Sequence, residues 1–297
     1  MKPLTTLFMM TVLSACAGTP PSPVAPPVAP SVSQPVSEPE PEVPTPAQTD
    51  PGFDYDLIIE NGRVVDGTGS AWFYGDVAVK DGRIARIAPG GLLRGATAPE
   101  RVDAFGHVVS PGFIDIQSQS RYALLSGDSR VISKVTQGVT TEIMGEGTTT
   151  APVNPTNLGP PEDDQSEADR QNRLFSGERG FDQWLQAMQA RGTSVNQGSF
   201  LGGGTLRAYV LGSRMDEAGP AQLDTMKAVV RRAMLDGAFG IATALIYVPG
   251  NFATTAELGE VAAAMAPYGG VYISHLRSEA DNLLEAIDEA IEIGARG

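Results

Sequence analysis

Two side chains in this sequence combine a metal-binding group with a position at the end of a predicted strand. Glu146 follows the strand predicted over residues 138–144, and His275 follows the strand predicted over residues 271–274. Carboxylate oxygen and neutral imidazole nitrogen are both zinc ligands, and loops at the carboxyl ends of parallel strands build the active sites of α/β barrels. The simpler interpretations are a solvated loop carboxylate and a hydrogen-bonded structural histidine. His107, the only other histidine, precedes the first predicted strand and is interpreted as structural.

Two glutamines share one face of a predicted strand. Gln117 and Gln119 end the segment P-G-F-I-D-I-Q-S-Q, residues 111–119, and their i, i+2 spacing points both side chains the same way. An uncharged carboxamide is a poor zinc ligand compared with imidazole. The weaker candidates, which could orient neighbours or line a pocket, are Asp115, Arg207 and Tyr247.

Residues 111–119 resemble the first-strand signature of the amidohydrolase superfamily, Pro-Gly-Phe-Ile-Asp-x-His-x-His, with Gln117 and Gln119 in place of both histidines. Residues 55–69, Y-D-L-I-I-E-N-G-R-V-V-D-G-T-G, are similar to the opening of the D-aminoacylases (N-acyl-D-amino-acid deacylases). Further similar segments follow in the family's order, so the resemblance covers residues 54–297. These segments are residues 138–147, 201–207, 245–250 and 272–279.

The resemblance implies a fold, a metal and a reaction. The implied α/β fold has a small β-sandwich-like domain over residues 54–110, followed by a partial TIM-type (β/α) barrel over residues 111–297. The implied reaction is metal-dependent hydrolysis of the C–N bond of N-acyl amino acids, in which zinc polarises the carbonyl and activates a water molecule. Glu146 would stand near the family's metal-binding cysteine, and His275 would correspond to its fifth-strand metal histidine.

The sequence also departs from the family pattern. Gln117 and Gln119 replace two metal ligands, and Gly203 stands where many relatives have histidine. The sixth-strand histidine ligand of the family, and the aspartate after its eighth strand that moves the proton, have no counterpart in residues 1–297. We therefore expect a truncated amidohydrolase that binds zinc weakly and is inactive by itself. The alternative is a catalytically inactive, membrane-anchored lipoprotein or binding scaffold derived from the family.

The first 53 residues differ in composition from the rest. Residues 1–16 combine Lys2, a short apolar run and the tetrapeptide Leu-Ser-Ala-Cys, which resembles a bacterial lipobox and predicts a lipoprotein signal peptide. Cys16, the only cysteine, would carry the lipid and anchor the protein in the bacterial cell envelope, facing the periplasm; the alternative is a cleaved signal with an incidental cysteine. Residues 17–53 are predicted to be a Pro-rich disordered tether. The net charge of −14 argues against nucleic acid as a partner.

The remaining pattern predicts two β-hairpins and then alternating strands and helices. Asn61-Gly62 and Asp81-Gly82 are each flanked by strand-like residues and indicate type I′ turns. Five strand–helix units follow, whereas a TIM-type barrel needs eight, so an open α/β fold of another type is also compatible. The predicted strands are residues 108–116, 138–144, 199–202, 238–245 and 271–274. The predicted helices are residues 129–137, 257–265 and 279–293. Two more helices are indicated by apolar stripes, one at Phe181, Trp184, Leu185 and Met188, the other at Leu223, Met226, Val230 and Ala233.

Overall fold

The computed structural model describes residues 53–159 and 167–296. The predicted signal peptide, Cys16 and nearly all of the Pro-rich tether lie outside the described residues. In the part that is described, none of the helices has the length and apolar character needed to cross a membrane.

The amino-terminal strands form one sheet. Its order is β3-β2-β1-β4, with β5 also beside β1; β2 and β3 run antiparallel to their neighbours, whereas β4 and β5 lie parallel to β1. One face of this sheet buries Ile58, Ala78, Ala88 and Leu93 in a small core of its own. The strands are β1 (Leu57–Val64), β2 (Phe73–Lys80), β3 (Arg83–Pro89), β4 (Glu100–Asp103) and β5 (Val108–Val109).

One of the two predicted hairpins is present. Asp81 and Gly82 both have positive φ, +53° and +69°, and connect β2 to β3 as a two-residue turn. The prediction at Asn61-Gly62 is wrong, because β1 continues through both residues with a bulge.

Two long-range contacts explain the bulge at Asn61-Gly62. The Asn61 N–H donates to Oδ1 of the buried Asp76, at 3.0 Å. A Cβ at Gly62 would lie 2.5 Å from Val109 Cγ2, so glycine permits the close approach of β5. The positive φ of Asn61 is therefore part of a β-bulge and not of a hairpin turn.

The rest of the described chain alternates strands with helices. The strands are β6 (Phe113–Ser118), β7 (Val139–Met144), β8 (Asn196–Ser199), β9 (Leu201–Gly202), β10 (Gly240–Ala244) and β11 (Val271–His275). The helices are α1 (Arg121–Ser126), α2 (Ile132–Val135), α3 (Pro155–Leu158), α4 (Glu167–Asn172), α5 (Gly180–Arg191), α6 (Gly203–Leu211), α7 (Pro220–Leu235), α8 (Thr255–Ala263) and α9 (Leu283–Gly294).

These strands form two parallel sheets, ordered β6-β7-β8 and β11-β10-β9. The predicted third strand is divided between them at Phe200, whose N–H donates to Met144 O at 2.8 Å. Within the described residues β6 pairs only with β7 and β11 only with β10, so no closed barrel is formed there. The α/β class is confirmed, and the partial barrel stays a prediction.

The predicted helical stripes form the main core. Phe181, Trp184 and Met188 of α5 are buried, as are Met226, Val230 and Ala233 of α7. An apolar side chain at every third or fourth position places these residues on one face of each helix. That face covers the parallel strands, because Leu201 and Ile241 belong to the same cluster.

Two apolar surfaces of this region are exposed. The segment expected to be one buried strand is divided into β5 and β6, and Phe113, Ile114 and Ile116 are 60–64% exposed because β6 has a neighbour on one side only. In α9 the apolar side chains spaced four residues apart are also partly exposed, and the buried residues are Ala286 and Ile293. The exposed side chains are Leu283, Ile287 and Ile291.

The helix predicted over residues 129–137 is shorter than expected. Only α2, residues 132–135, is helical in that segment. Ser129 and Val131 have positive φ values of 57° and 38°, which lie outside the right-handed helical region. The segment therefore turns before the helix can begin.

Candidate metal and substrate site

Glu146 lies at the carboxyl end of β7, held there by a glycine. Gly145 has φ of +108°, and a Cβ on it would lie 2.4 Å from Phe200 O. Only glycine fits between β7 and the β8–β9 junction at this point. The chain turns there, and the Glu146 side chain, 15% exposed, reaches the edge of the sheet.

His275 meets Glu146 across the parallel strands. It is the last residue of β11, paired with Ala244 of β10, and its carbonyl accepts from the Leu245 N–H at 2.9 Å. Its Nδ1 lies 3.1 Å from Glu146 Oε1, although the two residues are 129 positions apart in sequence. Its Nε2 lies 3.2 Å from Glu279 Oε1. The structure thus brings together both predicted ligands and adds a second carboxylate behind the imidazole.

Gln117 in β6 and Gln119, which directly follows β6, reach the same carboxylate. Gln117 Nε2 donates to Glu146 Oε1 at 2.7 Å, and Gln119 Nε2 donates to Glu146 Oε2 at 3.3 Å. Their shared face of β6, predicted from the i, i+2 spacing, explains why both reach one group. Each oxygen of Glu146 therefore has an amide donor.

Asp115, two residues before Gln117, supports the backbone of this strand. Its Oδ1 accepts from the Gln117 backbone N–H at 3.0 Å, and its Oδ2 pairs with Lys134 of α2. The hydrogen bond from Lys134 lowers the pKa of Asp115, and the same bond raises the pKa of Lys134. Asp115 therefore contacts the backbone at Gln117 and does not itself contact Glu146 or His275.

A cavity of about 280 Å³ opens beside Glu146. Tyr247 forms part of its wall, and the tyrosine ring meets the His275 ring edge to face at a centroid distance of 5.2 Å. The lining residues come from the ends of β6, β7 and β10 and the start of α6; those that bear on the chemistry are Gln119, Glu146, Thr148, Gly204, Tyr247 and Pro249.

Three residues considered from the sequence lie apart from this cavity. Arg207 is buried in α6 and pairs with Glu257 at 2.6 Å. His107 is exposed, with Nδ1 3.0 Å from Phe105 O. Gly203 begins α6, where a Cβ would lie 2.7 Å from Thr243 Cγ2. None of them lines the wall beside Glu146.

Glu146 and His275 fit only part of a zinc site. Two ligands of one tetrahedral zinc ion are roughly 3.3 Å apart, given bond lengths near 2.0–2.1 Å, and the 3.1 Å between Oε1 and Nδ1 is close to that spacing. A catalytic zinc ion needs three protein ligands, and the described ranges contain no group of three or more His, Cys, Asp or Glu side chains able to hold a metal. The described residues therefore do not complete a zinc site.

Comparison with known proteins shows what the chain is related to. No family model matches the sequence. The chain is 35% identical to D-aminoacylase from Alcaligenes xylosoxydans xylosoxydans over 242 residues, which are 81% of the chain and 48% of that relative. It is 34% identical to the N-acyl-D-aspartate deacylase of the same organism over 248 residues, 80% of the chain and 47% of the relative. The chain is a homologue of the D-aminoacylases.

Solved structures extend this homology to the fold. A crystal structure of D-aminoacylase matches with a TM-score of 0.70 at 34% identity, over 82% of the chain and 49% of that protein. N-acyl-D-glutamate deacylase from Bordetella bronchiseptica, solved with zinc and a phosphonate inhibitor, matches with a TM-score of 0.68 at 29% identity, over 81% of the chain and 49% of that protein. The chain spans about half the length of the curated relatives it matches. The predicted relation to the D-aminoacylases is confirmed.

Some residues of this D-aminoacylase homologue were missed from its sequence. Glu279 contacts His275 because the chain turns back after β11, and the only local signal was its i+4 spacing. Arg121 donates through Nη1 to Thr148 O at 2.7 Å and to Thr148 Oγ1 at 2.8 Å, which ties the loop after β7 to the segment after β6. No sequence motif indicated the contact between Arg121 and Thr148.

Proposed function

We propose that this D-aminoacylase homologue belongs to a metal-dependent amidohydrolase that hydrolyses the N-acyl amide bond of small N-acyl amino acids. The observation that carries the proposal is the convergence of Glu146 and His275, 3.1 Å apart, at the mouth of the cavity lined by Gln119 and Tyr247. In this proposal the two residues are ligands of zinc, the metal present in a solved relative. The remaining ligands and the proton-carrying carboxylate would come from groups outside the described residues.

A second candidate, a binding scaffold without catalysis, is favoured by the two glutamines. Both oxygens of Glu146 already accept hydrogen bonds from carboxamides, which have no charge and bind zinc poorly. A cavity of this kind can hold a small polar ligand without reacting with it. Turnover distinguishes the two candidates.

The test measures hydrolysis of N-acetyl-D-amino acids, with N-acetyl-L-amino acids as the stereochemical control, in the presence and absence of zinc. It compares this chain with a fusion in which the chain continues into the second half of a curated D-aminoacylase. We expect zinc-dependent turnover by the fusion only. Turnover by the chain alone that is lost in His275→Ala would contradict the need for outside ligands, and absence of turnover in both proteins would favour the scaffold.

We also propose that Cys16 attaches the protein to a membrane of the cell envelope through a lipid. The support is the lipobox-like sequence before Cys16, since several acyl chains together hold a protein at a bilayer. Wild-type protein should fractionate with membranes, and Cys16→Ser should release it or leave the signal uncleaved. Soluble fractionation of both proteins would rule out the anchor.

A further inference from the structure

The Glu146 carboxylate is largely buried without a cationic partner from lysine or arginine. Its side chain is 15% exposed, and the one ion-pairing contact recorded for it within residues 53–159 and 167–296 is His275. A carboxylate removed from water needs charge or hydrogen-bond compensation. Its other contacts are the carboxamides of Gln117 and Gln119.

The chemistry of the carboxylate determines which end of each glutamine carboxamide faces it. An ionised carboxylate only accepts hydrogen bonds, so the side of each amide that faces it must be the NH₂ group. Hydrogen bonds to an ionised acceptor are stronger than those between neutral groups. The two glutamines therefore place positive dipole ends against both oxygens, at 2.7 and 3.3 Å.

The backbone holds these donors in place. The Gln117 N–H is bonded to Asp115 Oδ1 at 3.0 Å. Between the glutamines, Ser118 is buried, with Oγ 3.2 Å from Ser120 Oγ, and Ser120 Oγ donates to Glu142 at 3.0 Å. Because β6 is fixed by these contacts, both carboxamides approach Glu146 from a prearranged strand.

We infer that Gln117 and Gln119 take the electrostatic place of a cation at Glu146, so that Glu146 and His275 are held together without a metal. The glutamines are positioning residues in this arrangement. Their role concerns the stability of the carboxylate in the folded protein while no metal is bound, and it does not rest on the proposed hydrolysis.

The experiment measures thermal unfolding of the full chain in EDTA and in excess zinc. Wild-type protein should have the same midpoint in both. Gln117→Leu/Gln119→Leu should unfold roughly 3–8 °C lower in EDTA, because a largely buried carboxylate loses its donors. Excess zinc, which Glu146 and His275 alone can bind only weakly, should restore part of that loss. Adding Glu146→Gln to the double variant should restore stability in EDTA, because no charge is left uncompensated.

Gln186→Leu is the matched control. Its amide also donates to a carboxylate, Asp182 Oδ1 at 2.9 Å, but Asp182 already has a cationic partner, Arg179, at 2.6 Å. We expect little change in its midpoint and no response to zinc. If the double variant does not fold, the single variants replace it, and Gln117→Leu should lower the midpoint more than Gln119→Leu because its hydrogen bond is shorter.

Three results would overturn this role. The first is a double variant as stable as the wild type in EDTA. The second is a destabilised variant that neither zinc nor Glu146→Gln restores, which would assign the loss to packing of β6. The third is an equal stabilisation of the wild type and the double variant by zinc, because the glutamines would then not take the place of a cation at Glu146. Each result is independent of the hydrolysis assay.

Discussion

Arg207→Met should lower the free energy of unfolding by about 3–5 kcal/mol, because it leaves Glu257 buried and charged without its partner. Arg207 is 2% exposed, and its Nη1 lies 2.6 Å from Glu257 Oε1. The same guanidinium donates to the Asp216 carbonyl, while Glu257 Oε2 accepts from the Ala218 N–H at 3.2 Å. The pair therefore connects α6 and α8 to the loop before α7. Chemical denaturation at constant m-value measures the loss.

Two further variants test the cause of that loss. Arg207→Met/Glu257→Leu should recover most of the stability, because a buried ion pair can be replaced by apolar side chains with little net cost. Arg214→Met removes an exposed arginine that pairs with Asp216 and should produce no measurable change. Equal losses in the double variant and in Arg207→Met would assign the effect to the volume of the arginine side chain instead of to its charge.

The fold could be predicted where information is local. The stripes containing Trp184 and Val230 were recognised from helical periodicity, and both residues are buried. Asp81-Gly82 was recognised as a turn because positive φ at two consecutive positions is the local requirement of a type I′ hairpin. Asn61-Gly62 has the same local preference, but Asp76 and Val109 determine its outcome from other strands.

The candidate site was predictable in its parts but not in its contacts. Positions at strand ends indicated Glu146 and His275, but the two residues follow strands of different sheets, so their contact could not be read from strand pairing. The sequence also indicated that Gln117 and Gln119 are poor metal ligands, but not that their amides face a carboxylate, which depends on the approach of β6 to β7. Arg207 was a weak candidate for the pocket wall, and its burial against Glu257 could not be predicted because that long-range partner cannot be read from local sequence.

His275→Ala should lower kcat/KM by more than ~10²-fold in whichever form of the protein hydrolyses N-acyl amino acids, because loss of a proposed zinc ligand should cost more than loss of a group that only orients a ligand. His275 is the only imidazole at the site, since His107 lies in an exposed turn with Nδ1 against Phe105 O. Glu279→Gln should have a smaller effect, roughly 10–100-fold, which is typical when a group that orients a ligand is replaced. Steady-state kinetics with N-acetyl-D-amino acids at several zinc concentrations measures both effects.

The pattern across the variants separates a direct role of His275 from a general disturbance of the fold. Glu279→Gln keeps a hydrogen-bonding group 3.2 Å from His275 Nε2 but removes its charge. It should therefore raise the zinc concentration needed for activity, because a group that orients a metal ligand affects metal affinity, whereas a variant that only loosens the loop would lower kcat/KM equally at all zinc concentrations. His107→Ala should keep full activity because it lies outside the cavity wall. A His275→Ala protein with wild-type kcat/KM would remove the imidazole from the proposed mechanism and leave Glu146 as the only ligand that the described residues contribute.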